Sequence, residues 1–287
     1  MRQTLTRRSA ALGISAAVAA GLASPAAAAE SGALAALEHR RGGRLGVFAL
    51  DTRTGRSLAW RADERFLMCS TFKTLAVAAV LARVDAGHED LARRVPYSEA
   101  DLLEYAPVTR AHVAEGALPV GTLCAAAIEV SDNTAANLLL ASLGGPAAVT
   151  RYARSIGDQV TRLDRNEPTL NRPSGQLDTT TPRAMAHSVR MVLLGEVLKP
   201  GSGQRLERWM VGSTPGLKRL RAGLPSSWPA GDKIGTGTTE ANDVAIVRPP
   251  GRAPLIVAAY YDAPAVAAQD RDAVLSEVGS ISAAWAS

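Results

Sequence analysis

The run "TFKTLAVAAVLAR", residues 71–83, most constrains the fold of this chain, because it is apolar on nearly every face of a helix. A helix that is hydrophobic all round lies in a protein interior or in a membrane. This run is too short to span a bilayer, so we expect a buried helix. Other layers must cover it, and a chain of 287 residues can supply one large domain or two lobes with a shared core.

The first 29 residues have the layout of a secretory signal. Arg2, Arg7 and Arg8 form a basic start, and an apolar run over 10–23 leads to an alanine tract that ends at Ala29. We expect cleavage after Ala29 and a bacterial protein that is secreted or periplasmic. The paired arginines resemble a twin-arginine signal, and an ordinary secretory signal with two adjacent arginines is the alternative.

Charge and metal-ligand residues exclude several classes of function. Three of the 32 basic residues lie in the predicted signal, which contains no acidic residue, so the rest of the chain is less basic than the whole. It has no Lys/Arg cluster interleaved with aromatics, and we expect no nucleic-acid partner. No later segment is both long enough and apolar enough to cross a membrane. The four histidines and two cysteines show no metal-type spacing, so we expect neither metal nor cofactor.

Strand patterns occur at both ends of the chain and helical patterns between them. "RLGVFAL" and "RSLAW" flank the turn "DTRTG", which predicts a hairpin. "PAGDKIG", "DVAIVRP" and "PLIVAAYY" follow near the end, before a last helix over about 264–285. This order predicts an α/β (α+β type) fold, with one antiparallel sheet covered by helices and a helical lobe inserted.

"CSTFK" places Ser70 and Lys73 at i and i+3 at the start of the buried helix, so both lie on one face. A serine hydroxyl is a weak nucleophile unless a base lies within reach. A lysine in an apolar helix has its pKa lowered, which would make it such a base. The alternative is a helix cap followed by a surface lysine, which fits badly because little polar face remains.

Two further segments offer polar groups. "VSDNTAANLLL" contains Ser131, Asp132 and Asn133 between two helical stretches, and an N-cap is the simplest interpretation of these residue types. "RLDRNEPTLNRPSGQLD", residues 162–178, is a long polar loop without a period, and such loops in compact domains are usually functional or compact in their own right.

The loop contains a candidate general base. Glu167 and Asn171 are four residues apart and could orient one water for hydrolysis, while Arg165 and Asp178 could close the neck of the loop as an ion pair. The alternative is a solvated loop with ordinary charges. Because no metal is expected to activate water, Glu167 is the best base in the sequence.

"GDKIGTG", residues 231–237, is a strand that could form one wall of a serine-enzyme pocket. Lys233 and Gly235 suit that role. Ile234 between them offers no hydrogen bond, so the segment is a damaged site, an altered site or an ordinary core strand.

Taken together, these motifs resemble the class A serine β-lactamases of the serine β-lactamase/D,D-peptidase superfamily. The resemblance rests on Ser70-Thr71-Phe72-Lys73, Ser131-Asp132-Asn133, Arg165-x-Glu167-x-x-Leu170-Asn171 and Lys233-x-Gly235, in that order. The flanks "YAPVT", "DTTTPRAMA" and "RLRAGLP" agree, so it covers essentially all of 30–287. It implies a five-stranded antiparallel sheet in three αβα layers, with an α/β lobe of about 30–66 and 213–287 and a helical lobe of about 67–212.

The resemblance also implies a mechanism and a substrate class. Ser70 would attack the lactam carbonyl of penicillins and cephalosporins, and either Lys73 or Glu167 acting through a water would be the acylation base. Ser131 would pass a proton to the lactam nitrogen, and Glu167 would activate the water that hydrolyses the acyl-enzyme. The substrate-binding residues it implies are Tyr105, Asn133, Asn171, Arg219, Lys233, Gly235 and Thr236, the last contributing a backbone N–H to the oxyanion hole.

The resemblance also bears on whether the two cysteines form a disulfide. Some carbapenem-hydrolysing members bond a cysteine at the position of Cys69 to one just beyond the lysine motif, where this chain has Gly237 and Thr238. We therefore expect two free, buried thiols, Cys69 and Cys124, with a Cys69–Cys124 disulfide as the alternative, and carbapenem hydrolysis is not indicated.

Three hypotheses of function follow. The first is a hydrolysing β-lactamase, a monomer as is usual in the family. The second is a D,D-peptidase, which shares the Ser-x-x-Lys chemistry but releases penicillin slowly. The third is a β-lactam-binding protein with slow turnover. Glu167 favours the first, because it supports rapid deacylation, while Ile234 is the one feature that supports the third.

Overall fold

The computed structural model describes residues 25–287, with side chains from Ser31 onward. The predicted signal segment lies almost wholly outside the described residues. The first helix spans Pro25–Arg41, whereas the helical pattern in the sequence begins at residue 33. The helix therefore continues across the predicted cleavage point after Ala29. The cleavage site therefore stays a prediction.

Strands and helices are numbered in chain order. The strands are β1 (Arg44–Asp51), β2 (Ser57–Trp60), β3 (Phe66–Leu67), β4 (Arg94–Pro96), β5 (Ala117–Pro119), β6 (Thr179–Thr180), β7 (Ala230–Thr236), β8 (Glu240–Val247) and β9 (Leu255–Asp262). The helices are α1 (Pro25–Arg41), α2 (Phe72–Asp85), α3 (Pro107–Ala111), α4 (Val120–Glu129), α5 (Asn133–Leu143), α6 (Ala147–Ser155), α7 (Pro182–Leu194), α8 (Pro200–Val211), α9 (Leu220–Gly223) and α10 (Ala268–Ala286).

Five strands form one antiparallel sheet in the spatial order β2-β1-β9-β8-β7. The central strand β9, "LIVAAYYD", is buried along almost its whole length, because apolar layers cover both faces of the sheet. The pairing register places Ile234 opposite Asp243 and Thr236 opposite Ala241, so β7 is an edge strand with its outer side free of other strands. The predicted five-stranded antiparallel sheet is confirmed.

Separate hydrophobic cores lie on the two faces of the sheet. One face packs against α1, α9 and α10 around Leu34, Leu220 and Val274. The other packs against α7 and α2 around Phe48, Phe72 and Met185. These three layers agree with the predicted αβα arrangement.

Helix α2 is enclosed by other helices, as its sequence predicts. Every residue from Phe72 to Leu81 is buried, and α4, α5, α6, α7 and α8 surround it. A further apolar core joins α2 to α4, α5 and α8. Within residues 25–287, no helix is both long enough and apolar enough to traverse a bilayer. Two short two-stranded pairs, β3 with β6 and β4 with β5, were not apparent in the sequence, since segments so short carry no period.

Candidate active site

Ser70 lies in a 3-10 turn, Cys69–Thr71, that leads directly into α2. Cys69 has φ of +45°, a conformation that costs energy for a side chain other than glycine and that is typical of functional sites. Strand β8 fixes the residues that precede the turn, because Asn242 Nδ2 donates to the carbonyls of Leu67 and Met68 at 2.9 and 3.2 Å. Ser70 is thus presented at the end of a rigid, buried helix.

Strand β7 approaches this turn closely enough to require a glycine. A Cβ on Gly235 would lie 2.5 Å from the Met68 carbonyl oxygen and 3.2 Å from the Ser70 nitrogen. Such distances are far below van der Waals contact with backbone atoms that cannot move aside. Gly235 therefore allows the edge of β7 to lie against the nucleophile.

Lys73 is fully buried and its ammonium group is surrounded by acceptors. Its Nζ donates to the Ser131 carbonyl at 2.8 Å, to Ser131 Oγ at 3.3 Å and to Asn133 Oδ1 at 2.6 Å. Glu167 Oε1 lies 3.4 Å away. Burial lowers the pKa of Lys73, and the nearby Glu167 carboxylate partly opposes that effect.

Glu167 is also buried, and its two carboxylate oxygens have different partners. Ser70 Oγ donates to Oε1 at 3.2 Å, and Asn171 Nδ2 donates to Oε2 at 2.7 Å. The loop 162–178 therefore places this carboxylate against the nucleophile.

Asn137, which sequence reasoning missed, fixes the backbone of Glu167. Its Nδ2 donates to the Glu167 carbonyl at 2.9 Å, and its Oδ1 accepts from the Glu167 N–H at 3.0 Å. Asn137 lies one helical turn after Asn133 on α5, hence on the same face, and that spacing was the available signal.

The neck of the loop is closed by Asp178. Arg165 Nε donates to Asp178 Oδ2 at 2.5 Å, which is the ion pair that the sequence suggested. Asp178 Oδ1 also accepts from the backbone N–H groups of Asp164 and Arg165 at 2.7 and 2.9 Å. This carboxylate is fully buried, and its hydrogen bonds hold the two ends of the loop together.

Lys233 brings a second buried ammonium to Ser131. Its Nζ donates to Ser131 Oγ at 2.9 Å and to the Ile234 carbonyl at 2.8 Å. Burial, together with repulsion from Lys73, holds the pKa of Lys233 well below its usual value. The hydroxyl of Ser131 therefore lies between two lysines.

Arg219 does not face solvent as a free guanidinium; it is only 5% exposed. Its Nε donates to Asp272 at 2.7 Å, and Nη1 donates to the carbonyls of Gly235 and Asn242 at 2.9 and 2.8 Å. Nη2 donates to Thr236 Oγ1 at 2.8 Å. Asp272 was missed from the sequence, since it lies 53 residues from Arg219.

Three other predicted residues flank this region. Ile234 is 8% exposed, and Thr236 lies on the same face of β7 because side chains alternate along a strand. Tyr105 is 51% exposed, and its carbonyl accepts from the Asn133 N–H at 3.0 Å, which links it to the end of α5.

On the same face as Ile234 lie two buried carboxyl groups, Asp232 and Asp243, close enough for the charge of Asp232 to raise the pKa of Asp243. Both oxygens of Asp232 and Oδ1 of Asp243 lack a well-aligned donor, although Arg221 Nη2 is 2.6 Å from Asp232 Oδ1. Two buried carboxylates so close together repel each other, so we expect the pair to hold one proton at neutral pH. Burial raises the pKa of Asp232, and for Asp243 burial and the Asp232 charge raise the pKa well above its usual value.

This pair predicts a pH dependence of stability. A carboxyl with a raised pKa contributes stability that is fully present below its unfolded pKa, about 4, and is lost as the pH rises through its folded pKa. We expect Asp243→Asn, which keeps a donor toward Asp232, to gain unfolding free energy relative to wild type as the pH rises above about 5. Urea unfolding of both proteins at several pH values would test this, and parallel pH profiles would contradict the shared proton.

Cys69 and Cys124 are both free and buried, as expected from the sequence. Burial raises the pKa of each thiol well above its usual value, so neither is a reactive thiolate. Within residues 25–287, no group of His, Cys, Asp and Glu side chains is arranged to hold a metal ion.

Sequence comparisons with known proteins identify the family of this chain. The profile of the β-lactamase enzyme family matches residues 31–286. The chain is 47% identical over 251 residues to the β-lactamase CTX-M-8 of Citrobacter amalonaticus, covering 86% of each chain, and 44% identical over 248 residues to the β-lactamase OXY-2 of Klebsiella oxytoca, covering 85% of each.

Solved structures give the same result. A crystal structure of a β-lactamase from Burkholderia vietnamiensis is 58% identical with a TM-score of 0.89, covering 90% of this chain and 96% of that one. An ancestral class A β-lactamase (GNCA) is 58% identical with a TM-score of 0.86, covering 88% and 98%. The resemblance that the motifs indicated is thereby confirmed over nearly the whole described chain. The chain belongs to the β-lactamase enzyme family as a class A serine β-lactamase, a hydrolase of β-lactams that confers antibiotic resistance.

Proposed function

We propose that hydrolysis proceeds through an acyl-enzyme on Ser70 and that a water held by Glu167 and Asn171 deacylates it. The observation that carries this proposal is the position of Glu167, with one oxygen 3.2 Å from Ser70 Oγ and the other 2.7 Å from Asn171 Nδ2. A base must lie within hydrogen-bond reach of the proton it removes, and this carboxylate reaches both the nucleophile and the place of an attacking water.

For acylation, the same geometry favours Glu167 over Lys73 as the base. An ammonium has three donors and no acceptor, and the Lys73 ammonium faces Ser131, Asn133 and Glu167, all acceptors. Lys73 would have to lose a proton before it could accept one from Ser70. Its role in this proposal is electrostatic: it stabilises the Glu167 carboxylate and lends positive potential to the site.

Ser131 is proposed to deliver the proton that the lactam nitrogen gains when its ring opens. Its hydroxyl lies 3.3 Å from Lys73 Nζ and 2.9 Å from Lys233 Nζ. Both lysines donate to the oxygen of Ser131, which leaves its own hydrogen free to point at the leaving nitrogen. The lowered pKa values of the two lysines ease replacement of that proton.

The oxyanion hole is proposed to consist of the backbone N–H groups of Ser70 and Thr236. Donors aimed at a developing oxyanion contribute most where water is excluded. The close approach of Gly235 to the Ser70 turn brings the two segments together. Tyr105 and Asn133 would line the side of the cleft that receives the acylamino group.

The substrate carboxylate is proposed to bind Thr236, with Arg219 acting through it. Because Arg219 donates to Thr236 Oγ1, the Thr236 hydroxyl hydrogen is left to donate outward. Asp272 and two carbonyls fix the guanidinium in this position. Lys233 adds positive potential on the opposite face of β7. Ile234 removes one hydroxyl that family members supply here.

A change at Ile234 tests this assignment. We expect Ile234→Thr to raise kcat/KM for penicillins about tenfold, since one hydrogen bond to a charged group contributes about 1.5–3 kcal/mol. Thr236→Val should lower it by about the same factor, and Thr236→Ser should restore it. Steady-state kinetics of the three variants would measure this. An unchanged or lower value for Ile234→Thr would show that the pocket has adapted around isoleucine.

Turnover of the mature protein, residues 30–287, tests the proposal as a whole. We expect penicillin G and nitrocefin to be hydrolysed for many cycles, with Ser70→Ala inactive and unlabelled. Stoichiometric labelling of Ser70 without turnover would contradict the proposed deacylation and support slow release instead. The D,D-peptidase alternative is not favoured, because the chain contains the Glu167 loop. Secretion or periplasmic export and a monomeric state remain proposals from the sequence and the family.

A further inference from the structure

A cavity of about 350 Å³ lies against the C-terminal half of α2, away from the nucleophile. Arg83 on its rim lies about 15 Å along the helix axis from Lys73, at 1.5 Å per residue. Helix α6 packs against α2 here and supplies the other wall. The apolar residues that line the cavity are Ala79, Ala82, Ala86, Leu143 and Ala148.

The polar residues of the cavity are all basic or neutral. Arg83, His88, Arg151 and Tyr152 line it, and no aspartate or glutamate does. Arg83 Nη2 makes one long hydrogen bond, 3.4 Å, to the His88 carbonyl. Arg151 is exposed and forms no ion pair with any residue from 31 to 287. An apolar floor with the unpaired guanidinium of Arg151 at its rim, and that of Arg83 opposite, is complementary to an anion that carries an apolar body.

The acidic groups nearest to this cavity are already engaged elsewhere. Both Glu89 oxygens accept from Arg93 at 2.7 Å. Asp85 accepts from the Lys199 N–H at 2.7 Å and from Ser202 Oγ at 2.6 Å. Glu89 lies near Arg83 and Asp85 lies near Tyr152, so these carboxylates offset part of the positive charge on the α2 side of the cavity. Arg151, on α6, has no acidic partner between residues 31 and 287 and supplies the positive charge that is available to a ligand.

Tyr152 adds an unused donor. Its hydroxyl oxygen is buried and has no hydrogen-bond partner among the described residues. Burial raises the pKa of this phenol, so the hydroxyl keeps its proton. A buried hydroxyl without a partner is unfavourable, and a ligand oxygen that reached it from the cavity, which Tyr152 lines, would relieve it.

We propose that this cavity is a second binding site, for a small organic monoanion with an apolar ring, such as an aromatic carboxylate. The ring would lie on the alanine floor, and the carboxylate would bind Arg83 and Arg151, with Tyr152 as a third donor. The site contains no nucleophile, so it binds without reacting and is independent of the hydrolysis proposed for Ser70.

Titration of the ¹⁵N-labelled protein with benzoate, followed by two-dimensional NMR, tests this proposal. We expect saturable shifts of the amides of residues 82–88 and 148–152, with a Kd on the order of 1 mM at low salt. Binding should weaken as salt is raised, because exposed charges are screened. Benzyl alcohol and benzylamine, which share the ring but lack the negative charge, should bind at least about tenfold more weakly.

Two variants and a matched control complete the test. Arg151→Glu should weaken benzoate binding at this site by at least about tenfold, and Ala148→Leu should weaken it by filling the floor. Arg190→Glu makes the same charge change at an exposed position of α7 outside this cavity and should leave Kd unchanged. Equal binding of benzyl alcohol, an unaltered Kd for Arg151→Glu, or shifts confined to residues near Ser70 would each overturn the proposal.

Discussion

Glu167→Ala should accumulate a covalent penicillin adduct, seen by mass spectrometry as an increase equal to the mass of the drug. The carboxylate that would activate the deacylating water is gone, and positioned general bases contribute about 10²–10⁴-fold. We expect kcat to fall by about 10³-fold while the adduct stays on Ser70. Normal turnover by this variant would show that Glu167 is not the base.

The rate of adduct formation in the same variant separates the two acylation schemes. If Glu167 removes the Ser70 proton, acylation measured by stopped flow should slow as well. Acylation at the wild-type rate would assign that step to Lys73. Glu196→Ala is a suitable control, because it removes an exposed carboxylate far from Ser70 in the chain and should leave both steps unchanged.

Asp132→Ala should produce the largest loss of stability of the changes considered. Asp132 is fully buried and accepts from the Val108 and Thr109 N–H groups at 3.0 and 2.9 Å, from Thr109 Oγ1 at 3.0 Å and from the Ala135 N–H at 2.8 Å. Removing the carboxylate leaves these N–H and O–H donors without an acceptor and removes the N-cap of α5. Each donor left without an acceptor costs about 1–3 kcal/mol, so we expect about 3–5 kcal/mol less unfolding free energy in urea titration.

Asp132→Asn provides the graded comparison. Asparagine retains one acceptor oxygen but replaces the other with an N–H donor. We therefore expect a loss of unfolding free energy smaller than that of Asp132→Ala but larger than zero. Because Ser131 and Asn133 flank this residue, kcat should also fall in the folded fraction of both variants. A loss below about 1 kcal/mol for the alanine variant would show that α3 and α5 do not depend on this carboxylate.

Asp132 also shows how much of the site could be predicted from local sequence. Its type and place at the start of an apolar run predicted an N-cap, and its side chain does cap α5 by accepting from the Ala135 N–H. The functional interpretation of the same motif is compatible with the cap, since the residues on either side face Lys73. The run that is apolar on nearly every face likewise identified the buried α2, and the short apolar runs bounded by turn residues identified the strands of the sheet.

Other parts of the site had no local signal. Asn137 holds Glu167 from 30 residues away, and Asp272 holds Arg219 from 53 residues away. Such pairs form only when distant segments are brought together by the fold, so neither periodicity nor turn chemistry indicates them. Arg219 illustrates this: the resemblance assigns it to substrate binding, but its partners Asp272, Gly235 and Asn242 become apparent only in the fold.

Substitutions at position 234 would affect two things at once, the binding of the drug and the stability of the protein. In the proposed site, Ile234 lies on the face of β7 that would border the substrate carboxylate, and its partner in the register is Asp243, which lies beside Asp232. A polar residue introduced here would meet that pair as well as the drug. Mutations that broaden or narrow the drug spectrum at this position would therefore also change thermal stability. Selection for resistance would then favour second substitutions that restore it.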